Sequence, residues 1–298
     1  MLGRGELIDA ITTFLGGRRE ATLQRMRDLL ERELDAAGPA ALASLNERFM
    51  AAGSDWTYYP PDPLARRVHH VLAETILDSA SRVTGLHHLD AVRGRPVVLL
   101  ANHLSYADAN LLEILLHRAG AGADADRLTV VAGPKVYSSL KRRFSSLCFG
   151  TIKTPQSTAR SSEDAVMHPR EVARVARQCI EIALDRVRRG ELLLVFAEGT
   201  RSRSCGMQQT LAGVARYLEW PGTQVLPVGL TGTELMFPIG DEALHDVAIV
   251  ARIGPAIDAA DLRARSGGDR RAMMDALGRA VAELLPAEYQ GVYGELRT

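Results

Sequence analysis

The stretch Val97-Val98-Leu99-Leu100-Ala101-Asn102-His103-Leu104-Ser105-Tyr106-Ala107-Asp108 decides how this chain is read. It opens after Pro96 as a run of apolar residues, two of them β-branched, which predicts a buried strand. The run breaks at Asn102-His103. Leu111, Leu112, Ile114, Leu115 and Leu116 then follow at helical spacing, so a helix is predicted to begin near Ser105. A histidine therefore sits in the turn at the end of a strand, and an aspartate one helical turn further on. An imidazole with a carboxylate in reach can take a proton from an alcohol. Ser105-x-x-Asp108 also fits a helix capping box, so Asp108 has a structural reading beside the catalytic one.

Outward from this stretch the pattern alternates. Strands are expected at Leu128 to Ala132, around Gly150-Thr151-Ile152, at Leu192 to Phe196, Val225 to Leu230 and Val247 to Ile253. Pro227 places the strand that holds it at an edge or a bulge, because proline cannot donate to a ladder. Helices are expected at Ala109 to Leu116, Tyr137 to Phe144, Pro169 to Arg189, Leu211 to Leu218 and Arg270 to Leu285. Gly120 to Asp126 and Thr154 to His168 read as loops. Strands alternating with helices predict an α/β fold with a central mixed, largely parallel sheet flanked by helices.

Residues 1–82 differ. Leu7, Ile8, Ile11 and Leu15 form one apolar face, and Leu23, Met26, Leu29 and Leu30 another, with Gly16-Gly17 between them. Gly38-Pro39 breaks the second helix, Ala41 to Met50 reads as a third, and Leu64, Val68, Val71, Leu72 and Ile76 mark a fourth. Asp55 to Pro61 reads as an aromatic, proline-rich loop. The expected organisation is a small helical bundle, or helices laid as a cap on the next domain, over 1–82, and an α/β domain over 83–298.

Composition narrows the classes. The 36 basic residues balance 36 acidic ones, so bulk charge points to no nucleic-acid partner. Cys148, Cys179 and Cys205 are scattered, which argues against a disulfide framework or a zinc site and fits a reducing cytoplasm. No apolar h-region follows Arg4 and no run is long enough to span a bilayer, so neither a signal peptide nor a transmembrane helix is expected. The expected location is cytoplasmic, with peripheral contact at the inner membrane face as a further expectation. The three lysines, Lys135, Lys141 and Lys153, all fall between His103 and Glu198. The basic run Lys141-Arg142-Arg143 reads first as a solvated face, and second as an attractor of phosphate, anionic lipid or an acidic carrier.

A second chemistry-bearing stretch, Val195-Phe196-Ala197-Glu198-Gly199-Thr200-Arg201-Ser202-Arg203, also follows a buried strand. In α/β sheets, sites gather where strands end. His-x-x-x-x-Asp alone is a weak signal. Joined about ninety residues later by Phe-x-Glu-Gly-Thr-Arg, it is specific. On these motifs the chain resembles the glycerolipid acyltransferases, the family of the lysophosphatidate and glycerol-3-phosphate enzymes, over roughly residues 85 to 290. Its helical N-terminus is similar to that of the soluble plastid glycerol-3-phosphate acyltransferases.

The resemblance implies an O-acyltransferase of phospholipid biosynthesis. It would move a fatty acyl group from acyl-CoA or acyl-carrier protein to a phosphorylated lipid precursor, with no cofactor and no metal. His103 would be the general base, Asp108 its orienter, and Glu198 a further residue of the catalytic set that orients the acceptor or holds the loop. Gly199, Thr200, Arg201 and Arg203 would bind substrate. Lys135 and the block Gly150, Ile152 and Lys153 would help hold the acceptor, with Arg160 as a further candidate cation. Pro227 belongs to an apolar block that shapes the acyl site. Ala197 stands where many members carry proline, which changes loop stiffness more than chemistry. Two alternatives remain open: the same chemistry on another acceptor, or a non-catalytic lipid- or carrier-binding module. A hydrolase is disfavoured, since no Gly-x-Ser-x-Gly elbow is present.

Overall fold

The computed structural model describes residues 4–12, 20–155, 168–238 and 244–294. Leu15, Gly16-Gly17 and Arg160 fall outside them, with most of the loop expected at 154–168. The N-terminal region holds α1 (Arg4–Thr12), α2 (Glu20–Ala51), β1 (Tyr58–Tyr59) and α3 (Pro63–Ile76). Then come β2 (Arg82–Thr84), α4 (Leu86–Ala91), β3 (Val97–Ala101), α5 (Asp108–Arg118), α6 (Gly122–Ala125) and β4 (Leu128–Ala132). They are followed by α7 (Leu140–Ser145), β5 (Gly150–Lys153), α8 (Pro169–Arg188), β6 (Leu192–Phe196) and β7 (Gln224–Thr231). The chain closes with α9 (Thr233–Met236), β8 (Val250–Ile253), β9 (Ile257–Asp258), α10 (Ala259–Arg265), α11 (Arg270–Ala282) and α12 (Ala287–Gln290).

The strands form one mixed sheet in the order β1-β5-β4-β6-β3-β7-β8-β2, with β9 also beside β7. Pairs β3/β6, β3/β7, β4/β5, β4/β6 and β2/β8 are parallel, while β1/β5, β7/β8 and β7/β9 are antiparallel. The expected α/β class holds. Every residue of β3 and β7 is buried. Strands covered on both faces read as continuous apolar runs, which is why Val97–Ala101 was legible.

Three expectations need correction and one is narrowed. Tyr58-Tyr59 is not loop but an edge strand, pairing with Ile152 and Thr151. Gly120 to Asp126 is not loop throughout but holds the short helix α6, whereas the break expected at Gly38-Pro39 is present: Gly38 (φ 75°, ψ 170°) is non-helical and divides α2 into two helices there. Ala212–Leu218 is a 3₁₀ helix. Of the two settings expected for Pro227, an edge or a bulge, the second is found: β7 lies between β3 and β8, and its pairing on that side slips by one residue between Val225↔Ile257 and Val228↔Ile253. The Pro227 carbonyl accepts from the Gly254 amide at 2.9 Å, and the nitrogen of an extended residue faces the same side as its carbonyl. On that side β8 pairs from Val228 onward and β9 pairs only Gln224 and Val225. The missing donor thus falls in the gap between two partners.

The N-terminal helices cover the sheet's apolar flank. Asp62 caps α3, its carboxylate accepting from the Leu64 and Ala65 amides at 2.9 and 3.0 Å, with Pro63 next. Helix α3 then buries Leu64, Val68, Leu72 and Ile76, each worth about 1.5–3 kcal/mol when fully removed from water. A continuous apolar cluster runs from Leu7 and Met26 through these residues to Val98 and Leu226. Among the described residues, no helix is long and apolar enough to cross a membrane.

Candidate active site

Register builds the site. In the β3/β6 pair Ala101 stands opposite Phe196. Two residues beyond each lie His103 and Glu198, at the same level although 95 positions apart. On the other side of β3, Ala101 stands opposite Val228, which brings the end of β7 and the start of α9 to the same place. Asn102 ties the strand ends together: its Oδ1 accepts from the Leu230 amide at 2.8 Å, and its Nδ2 donates to the Leu230 carbonyl at 3.0 Å.

His103 Nδ1 is 2.8 Å from Asp108 Oδ2. The carboxylate of Asp108, fully buried, also accepts from the Leu104 amide at 2.7 Å and the Ser105 amide at 3.0 Å. The Thr233 hydroxyl donates to its Oδ1 at 2.5 Å. The capping and catalytic readings of Asp108 therefore coincide: the group that closes the first turn of α5 also holds the imidazole. The His103 ring stacks on Phe196, with centroids 4.1 Å apart and planes 18° from parallel. Its ring is thus fixed by an edge contact and a face contact.

Glu198 is fully buried and is a bracket for two loops. Oε1 accepts from the His103 amide at 2.9 Å and Oε2 from the Gln208 amide at 2.7 Å. Burial pushes its carboxyl up to about 7, against the opposing pull of these backbone donors. The Ser202 amide returns a bond to the His103 carbonyl at 2.8 Å. Gly199 turns the loop at φ 68°, where a Cβ would meet Leu211 Cδ1 at 2.4 Å.

A groove of about 540 Å³ opens beside this centre, within the size range of small-molecule sites. Its lining includes Ser105, Tyr106, Lys141, Arg142 and Arg201, and, from the N-terminal helices, Ile11, Leu72, Ala73 and Ile76. The Arg201 guanidinium lies over the Tyr106 ring at 3.7 Å.

The expected substrate residues do not all converge here. Arg201 lines the groove. Thr200 is half-buried and Arg203 exposed on the same loop. Pro227 is buried beside β3, level with Leu100. Gly150, Ile152 and Lys153 lie on β5, separated from β3 by β4 and β6. Gly150 is required by close approach, since a Cβ would meet Thr129 Oγ1 at 2.3 Å and the Tyr58 ring at 2.9 Å. Lys153 donates to the Gly53 carbonyl at 2.5 Å and sits over the Trp56 ring at 4.4 Å. Lys135 lies in the 3₁₀ turn Pro134–Tyr137.

The run Lys141-Arg142-Arg143 is divided rather than solvated as a unit, because consecutive helical residues point in different directions. Arg143 donates inward to the Tyr137 carbonyl at 3.1 Å, Lys141 lies over Phe237, and Arg142 reaches the Tyr106 ring at 4.5 Å. Sequence reasoning missed Thr233, Asn102, Phe196 and Tyr106 as site residues. Phe196 and Asn102 flank the motifs and were open to notice. Thr233 carries no local signal.

Residues 80–231 match the model of the family described as acyltransferase. No curated protein matches the chain significantly. Among solved structures the chain is similar to the 1-acyl-sn-glycerophosphate (LPA) acyltransferase PlsC from Thermotoga maritima. The identity is 18% and the TM-score 0.47, covering 82% of this chain and 81% of that one.

Proposed function

The chain belongs to the acyltransferase family, and from the site it carries we propose that it transfers a fatty acyl group from acyl-CoA or acyl-carrier protein to the hydroxyl of a glycerol-phosphate-type acceptor. The observation that carries this reading is the His103–Asp108 pair at 2.8 Å, with Asp108 held by two amides and the Thr233 hydroxyl. Asp108 engages Nδ1, so Nε2 is the position that takes the acceptor's proton.

The hydroxyl oxygen attacks the thioester carbonyl carbon while its proton passes to His103 Nε2. The tetrahedral intermediate collapses with rupture of the C–S bond, and the imidazolium returns the proton to the departing thiolate. The nucleophile belongs to the substrate. This accords with the state of Cys148 and Cys179, both buried, with burial raising their thiol pKa values.

The tetrahedral oxyanion needs N–H donors near the strand ends. The amides of His103, Leu104 and Ser105 are committed to Glu198 and Asp108, and Gly199 donates to the Phe196 carbonyl. We therefore assign that duty to the Thr200–Arg201 stretch. The groove takes the acyl chain, and Arg201 grips the acceptor phosphate. The helices of residues 1–82 act as the cap that walls the chain.

The test offers purified protein labelled palmitoyl-CoA and palmitoyl-carrier protein with glycerol 3-phosphate, lysophosphatidate or neutral lipid alcohols. Label in one phosphorylated product, lost with His103→Ala, is the expected result. Wild-type turnover in His103→Ala would sink the mechanism, and a preference for an unphosphorylated alcohol would sink the acceptor class.

A further inference from the structure

Two guanidinium groups share one aromatic ring in the lining of the groove. Arg201 comes from the loop after β6 and Arg142 from α7, and they lie 3.7 and 4.5 Å from the Tyr106 ring centroid. Tyr106 itself stands two residues before Asp108. The shared ring keeps the two guanidinium carbons within about 8 Å of each other. One phosphate spans such a gap, since charge-assisted N–H···O contacts are about 2.8 Å on each side. Among the described residues, no carboxylate lies within ion-pair distance of either arginine. The hydrogen bonds of Arg142 to the Lys135 carbonyl (2.7 Å) and the Ser138 hydroxyl (3.4 Å) use Nη1 alone. A guanidinium has five donors, so these bonds aim the group without exhausting it.

Like charges brought together over one ring, without a counter-charge, are costly unless an anion completes the set. We propose that Arg142 is the second anion-binding residue of the acceptor site, partner to Arg201, and that the Tyr106 ring is the positioning element that sets their spacing. This rests on the acyl-transfer reading above and deepens it. It moves the acceptor's second cation from the β5 block to α7, because Lys153 is held instead by the Gly53 carbonyl and the Trp56 ring.

The experiment has a kinetic arm and a binding arm. Arg142→Met is expected to raise the KM for a phosphorylated acceptor about tenfold or more, the size of a lost charge-assisted hydrogen bond. The donor KM moves less than about twofold, and the effect vanishes with a dephosphorylated acceptor. Arg142→Lys restores part of it. Tyr106→Leu reproduces the loss, and Tyr106→Phe, which keeps the ring, rescues it. In the binding arm, glycerol 3-phosphate is titrated calorimetrically into donor-free protein whose thermal melt matches wild type. Affinity is expected to fall about tenfold in Arg142→Met.

An unchanged acceptor KM in Arg142→Met, an equal rise with the dephosphorylated acceptor, or unaltered glycerol 3-phosphate affinity would overturn the proposal. Failure of the wild type to transfer to any phosphorylated acceptor would overturn the acyl-transfer reading instead. The binding arm still decides the role of Arg142 in that case.

Discussion

The carboxylate of Glu198 holds the backbone amide of His103, Oε1 to N at 2.9 Å, and through it the base is tied to a loop 95 residues away. Motif reading offered two duties for this residue, orienting the acceptor or holding the loop. The geometry makes it a positioning residue: it shapes the turn from which the imidazole projects and touches the Gln208 loop with its other oxygen.

Glu198→Gln keeps the shape but replaces one acceptor oxygen with a donor facing an amide. It is expected to destabilise the fold by about 1–3 kcal/mol, the cost of an unmet buried donor, and to lower kcat by displacing His103. The wild-type carboxyl is raised from 4.5 to about 7 by burial. A raised acid stabilises fully below its unfolded value, and that contribution is lost as pH rises through its folded value. Wild-type stability should therefore decline between about pH 4.5 and 7 by a component missing in Glu198→Gln. Chemical denaturation across that window is the measurement, and matching slopes would remove the assignment.

Asp108→Asn presents an amide where four donors converge, from His103, Leu104, Ser105 and Thr233. We expect kcat to fall by about 10³–10⁴, the scale seen when an orienting carboxylate is lost from a histidine base. Thr233→Val removes one donor to a buried carboxylate and should cost about 1.5–3 kcal/mol of stability, with a smaller fall in kcat. Steady-state kinetics and thermal melts separate the two, and an undiminished kcat in Asp108→Asn would contradict the base mechanism.

Glu113 on α5 is fully buried beneath His69, His70 and Arg66 of α3, with His70 Nε2 at 2.9 Å and Arg66 Nε at 3.5 Å. Burial pushes its carboxyl up, but the hydrogen bonds and charges of His69 and His70 outweigh it and hold the group at about 2. A depressed acid stabilises fully above its unfolded value of 4.5, and that contribution is lost as pH falls through about 2. The contact is worth up to roughly 3 kcal/mol. Glu113→Gln should loosen α3 from α5 at pH 7, and its deficit against wild type should shrink as pH falls from 4.5 toward 2. Amide exchange in α3 reads this directly, and unaltered protection would exclude the latch.

Ala73 lines the groove from α3. Ala73→Phe adds a ring to a space of about 540 Å³ and should shift preference toward shorter acyl donors by about tenfold, the discrimination of one or more methylenes. A competition between palmitoyl and shorter thioesters is the check. An unshifted chain-length profile would show that the chain lies elsewhere.

Local chemistry carried much of this protein. The run Val97–Ala101 specified a buried strand because a strand covered on both faces is apolar throughout. The break at Asn102-His103 and the helical spacing from Leu111 placed the base at a strand end. Ser105-x-x-Asp108 specified a cap. Each depends on residues within one or two turns of chain. Register is a different kind of fact. That Ala101 stands opposite Phe196 and Val228 follows from sheet order, and only that order delivers Glu198 and Thr233 to the His103 turn. The same order carries Gly150, Ile152 and Lys153 away from it. Pro227 read as an edge or a bulge, and sheet order decided for the bulge, because the gap it fills is made by two other strands. The second arginine in the groove's lining was hidden in a basic run whose three members part ways only when α7 is wound and packed.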